Sequence, residues 1–132
     1  QGEWKPEIEE QPMPVRLEPG NPAMLVVMHL DCALEVLLKV GVDRIEKHAR
    51  ELSEHVGVGL EELGLEVISP KGHKARSGNT CFLAEDAGRI ERRLAEKKVL
   101  CWGELGRVRI STHLYNGSSD VEHFLEVLKE FI

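Results

Sequence analysis

Two arginines, Arg107 and Arg109, stand two apart in the run Arg-Val-Arg-Ile-Ser at residues 107–111. Val108 and Ile110 alternate with them, the period-two pattern of a half-buried strand. Both guanidiniums therefore fall on one polar face. A planar guanidinium matches a carboxylate with two parallel hydrogen bonds. The run leads to Asn116-Gly117, a strong turn signal. Ser118, Ser119 or Asp120 then caps a helix with Val121, Phe124, Leu125, Leu128 and Ile132 on one stripe. A rigid strand end thus presents Arg109 beside a helix start. The plainer reading is a surface arginine paired with a nearby Asp or Glu.

Other residue types with chemical capacity form weaker patterns. Cys32, Cys81 and Cys101 are odd in number, widely spaced and without a CxxC pair. That argues against a disulfide framework and a zinc site and for reduced, buried thiols in a cytoplasmic protein. No metal site is assigned. His48 and His55 are seven apart on one helix, whereas helical metal pairs use spacings of three or four; a solvated face is the better reading. Lys71, Lys74 and Arg76 could meet an anion, against the plainer reading of a solvated loop. Trp102 reads as a packing residue.

The chain has 132 residues and a formal charge of −6 with His neutral. That balance disfavours a nucleic-acid binder, which needs a basic face to neutralise phosphates. The length suits one domain with one modest core. The first residues are acidic and Pro-rich rather than basic and apolar, so no signal peptide is expected. Gln1 stands where a Met would, which leads to the expectation of a trimmed start or a fragment of something longer.

The positioning elements follow in order. Residues 1–19 carry Pro6, Pro12, Pro14 and Pro19 and read as an extended arm, with an edge strand at Val15-Arg16-Leu17. Trp4 in that arm is either disordered or an anchor on a neighbouring surface. After the turn Gly20-Asn21-Pro22, residues 23–39 form a helix apolar on nearly every side. Such a helix must be buried all round. His29, Asp31 and Glu35 interrupt it, and it is too short to span a membrane. One small domain covers only part of it, so the remainder needs another domain or subunit.

Gly41 breaks the run. A second helix, residues 42–63, places Val42, Ile45, Ala49, Leu52, Val56, Leu60 and Leu63 on one stripe. Gly57 and Gly59 weaken its last turns, and Gly64 stops it. Strands are expected at 65–68, 79–83 and 99–102, and a helix capped by Asp86 runs to about Lys98 with Ala87, Ile90 and Leu94 inward. Gly103-Glu104-Leu105-Gly106 is a tight hairpin connection to the Arg109 strand. Strands in hairpins with helices on one face make an α+β two-layer sandwich with a small, mostly antiparallel sheet. The organisation expected is an arm, 1–19, and a single domain, 20–132.

Arg-Val-Arg-Ile-Ser-x-x-x-Tyr-Asn followed by Asp-Val-x-x-Phe-Leu resembles the C-terminal signature of class V aminotransferases. These are fold-type I pyridoxal-phosphate enzymes that include cysteine desulfurases and selenocysteine lyases. Upstream, Val15-Arg16-Leu17-Glu18-Pro19-Gly20 resembles the segment that leads into the family's small domain. Gly41-Val42-Asp43-Arg44-Ile45-Glu46-Lys47-His48 resembles its Gly-x-x-x-Ile-x-x-His helix. The resemblance spans about residues 15–132 and only the C-terminal part of the family's enzyme.

The resemblance implies that Arg109 binds the substrate α-carboxylate. It implies that Asn21, where the family has Thr, contacts the cofactor phosphate of the partner subunit. It also implies a large domain, absent here, that bears the Schiff-base lysine, the aspartate at the pyridine nitrogen and the ring stacker. Pyridoxal phosphate is thus expected in a complete enzyme and not on this chain alone. Cys101, just before the short loop 103–106, is not expected to serve as a persulfide-forming nucleophile, which needs an exposed thiolate on a mobile loop.

Two readings stand. One is the C-terminal domain of an aminotransferase-like or lyase-like enzyme acting on an amino acid. The other is a non-catalytic, stand-alone interaction or dimerisation module of that ancestry. Either way, the 23–39 helix is expected to meet a second copy or the missing large domain, with no nucleic acid and no membrane as partner.

Overall fold

A computed structural model describes residues 12–17, 20–72 and 75–132. The expectations for Trp4 and for Lys74 lie outside the described residues. The chain divides after Val36 into two compact units.

The first unit contains a short 3-10 turn at Val15–Leu17 and most of helix α1, Met24–Val40. The edge strand expected at Val15–Leu17 is instead this turn. The Leu17 N–H reaches the Pro14 carbonyl at 2.9 Å and the Arg16 N–H reaches that of Pro12 at 3.2 Å. Local bonds of this kind satisfy the backbone where proline fixes φ and no strand runs alongside. None of the residues of α1 is buried. Leu25, Leu30 and Leu38 are all more than half exposed. The complete burial expected of this helix is therefore not supplied by the described residues.

The second unit opens at the end of α1. Gly41, at φ 97, separates α1 from α2, Val42–Glu62. The remaining elements are β1 (Asn79–Leu83), α3 (Ala87–Glu96), β2 (Trp102–Glu104), β3 (Arg107–Ser111) and α4 (Ser118–Lys129). The strands form an antiparallel sheet in the order β1-β3-β2, an α+β arrangement as expected. In register, Cys81 and Trp102 flank Arg109, and Leu83 and Glu104 flank Arg107.

Period-two alternation sends Phe82, Val108 and Ile110 to one face, where they pack with Leu52, Val56 and Leu60 of α2, Ile90 and Leu94 of α3, and Val121, Phe124 and Leu128 of α4. The opposite face carries Asn79, Leu83, Arg107, Arg109 and Ser111, all exposed. The glycines of α2 serve this packing. A β-carbon on Gly59 would run into the Leu125 side chain, and one on Gly57 would stand 3.2 Å from Arg76 Nη1.

Two expected strands are shorter than the sequence suggests. Of residues 65–68 only Val67 pairs, in an isolated bridge with Phe82. Ser69 Oγ accepts the Cys81 N–H at 2.8 Å, so a side chain replaces the next backbone rung, and Pro70 has no N–H to extend the ladder. Residues 99–101 lie outside the strand because the exit of α3 claims them. Lys98 is left-handed at φ 65, and the Val99 N–H returns to the Leu94 carbonyl at 2.9 Å. β2 therefore starts at Trp102. The hairpin turn is Leu105-Gly106, both at positive φ, rather than the longer 103–106 loop.

Asp86 occupies the N-cap of α3 without a side-chain capping bond. At α4 it is Asp120, not a serine, that reaches back, its Oδ2 accepting the Gly117 N–H at 2.8 Å.

Candidate functional site

Arg109 lies at the centre of the open sheet face. It is exposed, and its immediate sheet neighbours, Cys81 and Trp102, are not acids. Its guanidinium carbon stands 5.4 Å from the centre of the Trp102 ring, and that of Arg107 stands 5.7 Å from the same ring. Both lie within cation–π range. The surface ion pairs, such as Lys71–Glu61 at 2.6 Å and Lys97–Glu130 at 3.1 Å, leave Arg109 out. Among the described residues no carboxylate pairs with it.

Leu100, Cys101, Trp102, Arg109 and Ser111 line a shallow depression on this face. Ser111 Oγ donates to Asn79 Oδ1 at 2.7 Å, fixing the end of the face nearest the turn. Beyond it, Asn116 ties two segments together. Its side chain accepts the His113 N–H at 2.9 Å, and its carbonyl accepts a hydrogen bond from His48 Nε2 at 2.8 Å. His48 is therefore a strut between α2 and the β3–α4 connection rather than part of a solvated face.

Arg76 is likewise structural. Its Nη1 donates to the Ser53 carbonyl at 2.8 Å, and the Ser53 and Thr80 hydroxyls meet at 2.9 Å in the core. These bonds satisfy buried polar groups. With Lys71 paired to Glu61, this loop presents no described anion site. Asn21 lies in the other unit, exposed, in the irregular stretch ahead of α1.

Cys101 is half-buried. Burial and, secondarily, the Glu91 carboxylate push its thiol up to about 11 from an ordinary 9.0. Both causes disfavour the thiolate, so at neutral pH Cys101 is a protonated, poorly nucleophilic sulfur. All three cysteines are free. Among the described residues no group of three or more His, Cys, Asp or Glu could hold a metal ion. No described helix is long and apolar enough to cross a membrane.

Every lysine among the described residues is exposed. A Schiff-base lysine needs a shaped, desolvated pocket. No described lysine lies in such a pocket.

The placement of Trp102 beside Arg109 is not evident from the sequence. The signal that could have found it is cross-strand pairing across a two-residue turn at Leu105-Gly106, which puts Trp102 opposite Arg109.

No protein-family model matches the chain. It is 29% identical over 137 residues to a probable cysteine desulfurase of Pyrococcus abyssi, which covers 90% of this chain and 33% of that protein. It is 26% identical over 111 residues to the uncharacterized aminotransferase YcbU of Bacillus subtilis, covering 84% of this chain and 30% of that one. Among solved structures, the apo cysteine desulfurase of Thermococcus onnurineus NA1 superposes with a TM-score of 0.83 at 25% identity, over 90% of this chain and 34% of that chain. The fold is also that of part of the cysteine desulfurase CsdA of Escherichia coli, with a TM-score of 0.78 over 91% of this chain and 33% of that one. The chain spans about a third of the length of these relatives. Its homologues are cysteine desulfurases and aminotransferases of class V, and its fold is that of their C-terminal domain.

Proposed function

We propose that the chain is the substrate-carboxylate domain of a pyridoxal-phosphate enzyme acting on an amino acid. Arg109 receives the α-carboxylate. Asn21 donates a hydrogen bond to the cofactor phosphate of a partner subunit. The cofactor supplies the electron sink for chemistry at the amino-acid carbon, and the residues that hold it lie mainly in the two-thirds of the relatives' length that this chain does not match. The observation that carries this reading is Arg109: exposed, central on an open sheet face and without a carboxylate partner among the described residues. Three free cysteines support a cytoplasmic setting.

The exposed apolar side of α1 supports a contact with the larger remainder of the enzyme or with a second subunit. The same exposure also favours the second reading, a non-catalytic module that dimerises through α1.

Borohydride trapping separates the two readings. In the full gene product, incubation with pyridoxal phosphate and reduction should fix one adduct on a lysine outside residues 1–132. The 132-residue chain alone should fix none in stoichiometric yield. A gene product that extends no further and traps no cofactor favours the interaction module. A stoichiometric adduct on a lysine of this chain contradicts both readings.

A further inference from the structure

We infer that Trp102 is a positioning residue for Arg109: its indole face holds the guanidinium in place while leaving the N–H donors free for an incoming carboxylate. This rests on the reading of Arg109 as the carboxylate site.

The two arginines of β3 differ in what faces them. Arg107 has Glu104 opposite it in register, an acid on the same hairpin. Arg109 has Trp102 on one side and Cys81 on the other. An acid neighbour would hold Arg109 through its N–H groups, the donors that a substrate carboxylate needs. An aromatic face attracts the cation through its quadrupole and accepts none of those donors in the guanidinium plane. Cζ of Arg109 at 5.4 Å from the ring centre is within that range.

The platform itself is fixed. Trp102 is half-buried, and the next residue, Gly103, is pressed so closely on the Ala87 carbonyl of α3 that a β-carbon would not fit. A long, flexible arginine side chain otherwise loses rotamer freedom when it binds. Trp102 restricts it in advance, which is preorganisation. Arg107 over the same ring adds a second positive charge beside the site.

The test uses the 132-residue chain with sodium acetate as probe, at constant ionic strength against sodium chloride. The readouts are the Arg109 Nε–H and Ser111 amide NMR signals. Without acetate, the Arg109 side-chain signals should be displaced upfield by the indole ring current, and Trp102→Leu should abolish that displacement. With acetate, Trp102→Leu should raise the dissociation constant about two- to fivefold, and Trp102→Phe should recover most of the loss, since Leu keeps apolar bulk but has no aromatic face. Arg109→Ala should remove the Ser111 response.

If Trp102→Leu leaves the acetate constant unchanged while Arg109→Ala removes the response, the role of Trp102 is wrong and Arg109 stands as the carboxylate site. If Arg109→Ala keeps the full response, or the wild-type chain shows none, the underlying reading fails and this inference with it. Should Trp102→Leu fail to fold, the inference is decided by the wild-type ring-current displacement and by Trp102→Phe, and a missing displacement overturns it.

Discussion

Gly103 of β2 lies against the Ala87 carbonyl of α3 with no space for a β-carbon, and a β-carbon there would also stand 2.8 Å from Cβ of Glu91. The first obstacle is backbone, so only a shift of the helix against the sheet could relieve it. Gly103→Ala is expected to destabilise the chain by about 1–3 kcal/mol, the usual range for overpacking. Gly59→Ala is the instructive contrast. Its obstacle is side chain rather than backbone, both Cδ atoms and Cγ of the half-buried Leu125, which only a change of that residue's χ1 could relieve, and Ala gains up to about 1 kcal/mol of helix propensity over Gly. The two effects nearly cancel, so a change within about 1 kcal/mol of zero is expected. Urea titrations of the two variants check the difference.

The thiol of Cys101 gives a pH prediction with a definite sign. Its pKa is held at about 11 in the folded chain, against 9.0 ordinarily. The unfolded chain gives up this proton first as pH rises. The contribution is therefore fully present below about pH 9 and is lost as pH climbs towards 11. Alkylation should follow the same logic. At pH ~8, iodoacetamide should modify the exposed Cys32 well before Cys101, and peptide mass mapping over time reads the order. Rapid labelling of Cys101 at that pH would show an accessible thiolate and reopen its candidacy as a nucleophile.

Helix α1 gives a prediction about association. Leu25, Leu30, Leu34 and Leu38 all leave large fractions of their side chains in water, and contiguous apolar surface of this kind is rare on a monomer. Burying about 600 Å² of it would contribute on the order of 15 kcal/mol at ~25 cal/mol per Å², against an association cost of about 4–15 kcal/mol. The 132-residue chain is expected to self-associate in light scattering. Val27→Asp or Leu34→Asp should shift it towards monomer. A wild-type chain that stays monomeric at high concentration would rule out self-association through this helix.

What the sequence made legible was set by local periodicity. The stripes of α2, α3 and α4 marked Leu52, Val56, Leu60, Ile90, Leu94, Val121, Phe124 and Leu128, and all of these are buried. Alternation in β3 marked Val108 and Ile110 as inward and Arg109 as outward. Ile132 was misread as part of the α4 stripe because the helix stops at Lys129, and the buried Val127 was missed. The boundaries of β2 depended on how α3 ends, through a left-handed Lys98 that no pattern announces. The Ser53–Thr80–Arg76 network joins segments far apart in sequence, so local pattern could not disclose it. For the same reason Arg109 was visible from the sequence, whereas Trp102 beside it required the register.

The central claim is that Arg109 binds the amino-acid carboxylate. The most direct measurement is steady-state kinetics of the full gene product carrying Arg109→Ala, with pyridoxal-phosphate affinity measured in parallel by absorbance. Loss of a charge-assisted, two-point contact is expected to cost roughly 2–5 kcal/mol in kcat/KM, about 30-fold at the least. Arg109→Lys should restore only part of it, since a lysine ammonium cannot form the planar pair. Cofactor affinity should stay near that of the wild type. Undiminished kcat/KM in Arg109→Ala, or a loss confined to cofactor binding, would contradict the account.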